Sequence, residues 1–418
     1  MSRRRIAVVS YFHPPFPGPG GTRWLAMARH LRERGDTVRI VASAAFGALP
    51  DDEELGVVRV GDLKSSPRLR RILRRGSLAA PGAPATVESP APALLTRVVV
   101  PDSHLVSWMP GVFAAVRRLV AAGEVDCVVT SGPPESVHLA GLVLGRRRPA
   151  WVADFRDGWS FEPLRQPFPT APQRALDLRL ERAVARRADR VAAATRPIAE
   201  DLERRLGARA AWVPNGWDPA TAPAPVDPPP LPAADGRATL VHTGTLSGSW
   251  GRDPAPLLRA LRDVPEVRLA LAGRLTDAEQ ALIAGAGLGE RIVHLGTLSR
   301  AQALALQRAA DALVLLTSRN AGEATSKLYE YLASGRPVLA LAAGNEAARI
   351  VAETGAGVTV DPTDVPGIAA ALRRVAAGTL HAGGERDLGR YVYPGPAAAM
   401  SELIDAALSE RRLQSPRS

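Results

Sequence analysis

The stretch 312–341, ALVLLTSRNAGEATSKLYEYLASGRPVLAL, contains a whole strand–loop–helix–strand unit. Ala312–Leu316 is a short, uninterrupted apolar run bounded by polar residues, the pattern of a strand buried on both faces. Thr325 or Ser326 is expected to cap the helix that follows, Leu328 and Leu332 supply its apolar stripe, and Gly335 stops it before Pro337–Leu341, the next strand. Two such strands joined through a helix pair in parallel, with helices covering the sheet.

The same alternation extends in both directions. Thr239–Thr243, Val267–Ala272 and Arg291–Leu295 read as strands ahead of this unit. Nearer the amino terminus so do Ile6–Ser10, Val38–Ser43, Asp126–Ser131, Trp151–Asp154, Arg190–Ala194 and Ala211–Pro214. A helix over Gly21–Arg34 places Trp24, Leu25, Ala28 and Leu31 at helical spacing. The two series are separated by DPATAPAPVDPPPLPAAD at 218–235, whose prolines forbid a strand or helix interior and make a stiff linker. The expected organisation is an α/β domain over 1–217, a linker over 218–236, and a second α/β domain over 237–396. A last helix, 397–411 within the tail 397–418, follows the Pro394-Gly-Pro396 break.

The 418 residues suffice for two sizeable cores. No apolar run approaches the roughly 18 residues of a membrane-spanning helix, and the run near the amino terminus is too short for a signal peptide. The single Cys127 fits a reducing compartment, so a cytoplasmic protein is expected, with contact at the inner face of the plasma membrane left open. With 53 basic and 42 acidic residues the net charge is +11, which suits nucleotide diphosphates, acidic membrane surfaces or nucleic acid. Only Lys64 and Lys327 are lysine, so Lys327 stands out as a compact point charge in an arginine-biased chain. The basic run Arg68–Arg75 reads as a solvated loop or short helix, or as a contact for lipid or acceptor. The Ala/Pro-rich 78–93 reads as a surface loop.

Ligands of doubly wound sheets bind outside the strands' carboxyl ends, so the strand-to-helix loops carry the candidates. His13–Arg23 brings Gly20 and Gly21 to a helix start, either as a plain turn or as a phosphate-adjacent loop. Its spacing is not GxGxxG and the second strand ends without a carboxylate, which disfavours a dinucleotide. In Thr130–His138, Ser136 is a plausible helix cap and His138 either a neutral hydrogen-bonding or a packing residue. Trp151–Trp159 ends a strand in Asp154, Arg156 and Asp157, charges that must pair with one another or with a ligand. Arg252 and Arg274 end successive strands of the second half, an arrangement suited to a diphosphate or merely to the surface. Lys327 and the start of its helix can hold phosphate and Glu330 can accept ribose hydroxyls, or the two can form an ordinary i,i+3 pair.

Taken together these segments resemble retaining GT-B glycosyltransferases similar to glycosyltransferase family 4. The resemblance rests on Pro14-Pro15…Gly20-Gly21-Thr22-Arg23-Trp24, Ser131-Gly-Pro-Pro134…His138-Leu139, Trp151–Trp159, Val213-Pro-Asn-Gly-Trp-Asp218 and Thr325–Pro337, in that order along the chain. It implies two Rossmann-like, doubly wound domains facing across a cleft, the tail helix crossing back to the first. It implies a nucleotide-sugar donor held mainly by the second domain. Arg252 and Lys327 would neutralise its diphosphate, with Arg274, Thr325 and Ser326 nearby, Glu330 on the ribose, Gly296 near the base, and Gly20 and Gly21 against the phosphates. Asp157, with Arg156 and His138, would orient or deprotonate the acceptor hydroxyl, and Arg23 and His13 would meet the acceptor: a sugar, a lipid-linked sugar or a small molecule. No metal or other cofactor is implied. The family's paired glutamates eight positions apart would need one at 322; this chain has Gly322 and, one residue on, Glu323. Relatives often carry a histidine near Arg156 and an arginine at Thr245.

The expected activity is sugar transfer to an acceptor hydroxyl with retention, in polysaccharide, glycolipid or secondary-metabolite glycosylation. Other readings are a GT-B-shaped sugar-nucleotide epimerase, which needs no acceptor, and an inactive glycosyltransferase-like protein. A basic nucleic-acid binder is disfavoured by scarce lysine and by the lack of aromatics clustered near arginine runs.

Overall fold

The computed structural model describes residues 3–16, 18–65, 98–145, 148–163, 165–231, 236–247, 251–380 and 387–414. The basic run 68–75, the loop 78–93 and residues 248–250 lie outside them. The chain forms two compact units. Unit 1 is Met1–Pro214 with Pro396–Ser418, and unit 2 is Asn215–Gly395.

Among the described residues unit 1 holds β1 (Arg5–Ser10), β2 (Thr37–Ser43), β3 (Val57–Val60), β4 (Cys127–Gly132), β5 (Ala150–Phe155), β6 (Arg190–Ala193) and β7 (Ala210–Trp212). They form one parallel sheet in the order β3-β2-β1-β4-β5-β6-β7. Unit 2 holds β8 (Ala238–Thr243), β9 (Val267–Ala272), β10 (Ile292–His294), β11 (Ala312–Leu316), β12 (Val338–Leu341) and β13 (Gly357–Val360). Its parallel order is β10-β9-β8-β11-β12-β13. Both sheets are Rossmann-like. Strand order reverses at β1/β4, where Val9 faces Thr130, and at β8/β11, where Leu240 faces Ala312. Loops leaving the two central strands diverge there, which opens a crevice at each sheet's carboxyl end.

β4 and β5 are buried at every position, which is why they open on apolar runs, Cys127–Val129 and Ala150–Ala153. β3 and β13 were not expected. Each is a four-residue edge strand with residues left half-exposed, too short to show a period. Trp24, Trp108, Trp151 and Trp159 are fully buried in unit 1. The helix Leu139–Leu142 lies so close to Trp151 that a Cβ at Gly141 would come within 2.1 Å of the indole. Gly141→Ala should therefore cost about 1–3 kcal/mol of stability, the range for overpacking, read from the shift of the urea midpoint. An unchanged midpoint would mean that Trp151 has room to move.

Residues 215–217 leave β7 and join unit 2, where the Trp217 N–H donates to the Tyr391 carbonyl at 2.8 Å and the Tyr393 N–H to that of Trp217 at 2.9 Å. Helix Gly395–Gln414 then belongs to unit 1 from Pro396 on, held by Arg4 to Asp405 at 2.8 Å and by Arg190 to Glu410. Among the described residues no helix is long and apolar enough to cross a membrane.

Candidate functional site

In unit 2 the crevice is floored by glycines. Gly244, Gly273 and Gly296 follow β8, β9 and β10, with φ of +90°, +151° and +66°. The Gly273 N–H donates to the Gly296 carbonyl at 2.8 Å, and a Cβ on Gly273 would meet the Gly244 oxygen at 2.3 Å. The missing side chains let the three loop ends lie against one another and leave backbone open above them.

Over this floor runs Lys327. Its Nζ donates to the Thr245 carbonyl at 3.0 Å, and its stem passes where a Gly244 Cβ would be 2.4 Å from Cε. Burial, then the nearby Arg252, bring its pKa down to about 8, against the pull of Glu330 and Glu323. Gly244→Ala should displace this stem and strain a left-handed backbone, costing about 1–2 kcal/mol. The check is a thermal melt alongside a nucleoside-diphosphate titration, both of which should weaken.

The helix Ser326–Ser334 begins beside Lys327. Thr325 takes the extended N-cap backbone, but neither it nor Ser326 caps the helix as expected. The Thr325 side chain makes no capping bond and its Oγ1 is buried without a partner; Ser326 is exposed in the first turn. The first-turn N–H groups thus lack a side-chain cap, a ready seat for an anion.

Arg252 is not a bare phosphate arginine. Its Nε and Nη2 donate to Glu323 Oε1 at 3.0 and 2.6 Å, while Glu323 Oε2 accepts from the Ser318 N–H and Oγ, both at 2.6 Å. The glutamate found one residue past the family's position is thus held by an arginine and a serine. Glu330 forms no pair with Lys327. Its nearest cation is Arg300, whose Nε lies 3.9 Å away, and burial raises its carboxyl against Arg300, Gln307 and Lys327. Arg274 lies exposed just beyond β9.

In unit 1, Arg156 is a strut between loops. Nε, Nη2 and Nη1 donate to the carbonyls of Gly132 (2.9 Å), Pro133 (2.7 Å) and Gly20 (2.6 Å), locking the loops after β1 and β4 together. A Cβ on Gly20 would come within 3.1 Å of Nη1, and Gly21 starts the helix Thr22–Glu33. Arg23 is likewise internal instead of facing an acceptor. It grips Asp154 in a two-point ion pair of 2.9 and 3.2 Å and donates to the Val213 and Pro214 carbonyls, each at 3.0 Å. Trp24 Nε1 and Ser131 Oγ also donate to Asp154, at 3.0 and 2.8 Å. Burial acts to raise Asp154, but the Arg23 pair and these bonds outweigh it and hold the carboxyl below its ordinary value.

His138 is packed inside the unit. It is 1% exposed, stacks on Phe155 at 4.5 Å, has Nδ1 3.0 Å from Thr130 Oγ1, and burial brings its pKa down to about 3. His13 is buried too, with Nδ1 unpartnered and its pKa brought to about 4 by burial and then by Arg59. Ser136 is no N-cap: it lies inside the 3-10 turn Glu135–His138, its N–H and Oγ donating to Asp102 at 2.7 and 2.9 Å.

Two carboxylates remain accessible at the carboxyl ends of β4 and β5. Asp157 is exposed; desolvation raises its carboxyl and Arg156 lowers it, and hydration of the open side chain limits the net rise. Glu135, given no role in the sequence reading, is 20% exposed, lies 3.8 Å from Arg165, and burial followed by repulsion from Asp102 pushes it up to about 7. Its signal was its place, directly after Pro133-Pro134 at a strand end. Among the described residues no group of three or more His, Cys, Asp or Glu has the geometry to hold a metal ion.

Two family models match the chain: the glycosyl transferase 4-like domain over residues 18–216, and glycosyl transferases group 1 over 238–377. Several solved structures share the fold. A sucrose-phosphate synthase from Thermosynechococcus elongatus has a TM-score of 0.59 at 18% identity, with 98% of each chain covered. HepE of Anabaena, solved with UDP and glucose, has 0.57 at 16%, again over 98% of each. A putative UDP-N-acetylglucosamine 2-epimerase from Listeria monocytogenes has 0.57 at 14%, over 97% of each. At these identities the likeness speaks for the fold, which is GT-B. No curated protein matches in sequence. With both domain models matched in order over two Rossmann-like units, the chain belongs to the GT-B glycosyltransferases built from a glycosyl transferase 4-like domain and a group 1 domain.

Proposed function

We propose that unit 2 binds a nucleotide-sugar donor by its diphosphate and that unit 1 supplies the groups that meet the acceptor hydroxyl. The observation that carries this is the meeting of the Lys327 ammonium with an uncapped helix start and the orphan Thr325 Oγ1, over a glycine floor at the β8/β11 switch point. A diphosphate there meets the ammonium and the open N–H groups. Glu330 takes the ribose hydroxyls and the backbone at Gly296 meets the base. Arg252, steadied by Glu323, adds positive field without leaving its carboxylate.

In the proposed step the bond from the anomeric carbon to the phosphate oxygen breaks and its electron pair leaves with the diphosphate. The acceptor oxygen bonds to the same face of that carbon, and its proton passes to the departing phosphate or to Asp157 or Glu135. Lys327 and the helix N–H groups stabilise the charge as it forms. No metal is used in this scheme, and the configuration of the sugar is retained. Incubation with a panel of sugar nucleotides and acceptors, followed by NMR of the anomeric proton, tests it. An inverted product would refute retention. Conversion of a sugar nucleotide to its epimer without acceptor would favour the epimerase reading, which the Listeria neighbour's fold keeps in view.

The depressed Lys327 gives a pH signature. Its protonated form binds the diphosphate, so affinity should be flat below its pKa of about 8 and fall up to about tenfold per unit above it. Lys327→Arg should lose this dependence up to pH 10, since guanidinium stays charged. Calorimetric titrations at pH 7, 8 and 9 check both.

A further inference from the structure

The amino end of the unit 1 sheet, opposite its switch-point loops, holds a second concavity. The starts of β1 and β5, the approach to β4 and the last turns of helix Gly395–Gln414 enclose a cavity of about 460 Å³. Its charged lining is Arg3, Arg4, Arg5, Asp126, Arg411 and Arg412. Two of these arginines are already matched. Arg4 is held by Asp36, by Asp405 at 2.8 Å and by Ser401 Oγ at 2.8 Å, and Arg5 by Asp126 at 2.6 Å. Arg411 Nε is tied to the Arg148 carbonyl at 3.1 Å. Arg3 donates only to Thr37 Oγ1, at 2.9 Å, and Arg412 acts on Asp126 only at longer range; among the described residues neither is ion-paired to a carboxylate.

Five guanidinium groups thus line the cavity beside one carboxylate, Asp126, and two of them that hold no carboxylate, Arg3 and Arg412, match a phosphate dianion. The forks of Arg3 and Arg412 suit its oxygens, and the volume lies within the range of small-ligand sites, about 300–1,000 Å³. We infer that this cavity is a second ligand site, separate from donor and acceptor, that takes a phosphate group between Arg3 and Arg412 and so pins the C-terminal helix to the strands' amino ends. The phosphate arrives on a soluble phosphomonoester or on a lipid head group.

The test uses the full chain at constant ionic strength, with glycerol 3-phosphate followed by thermal shift and calorimetry, and with phosphatidic acid vesicles against phosphatidylcholine vesicles in flotation. Binding in the first arm identifies a soluble ligand; binding only to the anionic vesicles identifies a head group. In either arm the double variant Arg3→Gln/Arg412→Gln, altered at two exposed side chains, should bind at least about tenfold more weakly with an unchanged ligand-free melt. Lys327→Ala should bind like wild type. Failure of both arms, wild-type affinity in the double variant, or loss of binding in Lys327→Ala would overturn the assignment.

Discussion

Lys327→Ala should weaken nucleoside-diphosphate binding by about a hundredfold while leaving the ligand-free melting temperature within a degree or so of wild type. A charge-assisted hydrogen bond contributes about 1.5–3 kcal/mol, and each 1.4 kcal/mol is tenfold in affinity. The ligand-free protein loses little, because Lys327 makes one bond, to the Thr245 carbonyl, and its ammonium is partly desolvated beside Arg252. Activity should fall further than ground-state affinity, since charge on the diphosphate grows as the sugar departs. Calorimetry with UDP, ADP, GDP and dTDP measures the first effect; wild-type affinity for whichever nucleotide binds best would remove Lys327 from the donor site. Glu330→Ala should lower affinity for ribonucleotides more than for their deoxy counterparts.

The largest stability effect is expected at Asp154→Ala, a loss of about 3–5 kcal/mol, because the buried Arg23 would lose the carboxylate that balances its charge. Trp24 Nε1 and Ser131 Oγ lose their acceptor in the same change. Replacing both members with apolar residues, Arg23→Met with Asp154→Leu, should recover much of the loss. Five of the seven tryptophans (24, 108, 151, 159 and 212) belong to unit 1, so fluorescence-detected urea unfolding reports mainly on the unit that carries this pair. A cost below about 1 kcal/mol would mean that water reaches Arg23 once the carboxylate is gone.

The architecture was legible because its strands are buried on both faces and punctuated by glycine and proline. β11 announces itself as an apolar run, and β4, β5 and β9 as mostly apolar ones; β3 and β13, short and half-exposed at sheet edges, do not. The loops that reach the two switch points were legible for the same reason, and Lys327 stands out in the sequence by its rarity. What a loop position could not reveal was which partner each ion would choose. Arg23 and Asp154 lie 131 residues apart, and only the sheet order brings them together. The donors of Arg156 are spent on three carbonyls and those of Arg252 on Glu323, partners that no loop position announces. Glu135 is not legible from its loop position, because its rise to about 7 comes from burial and then from Asp102, far off in sequence and close in space.

Because unit 1 closes with residues from both extremities, Arg4 gripping Asp405, an expression plasmid that stops at residue 214 would omit a wall of that half. The other half, 215–395, is one uninterrupted span. A gene rearranged to begin near residue 387, run through the last helix, and join it to Arg3 by a few glycines and serines would keep the first half whole.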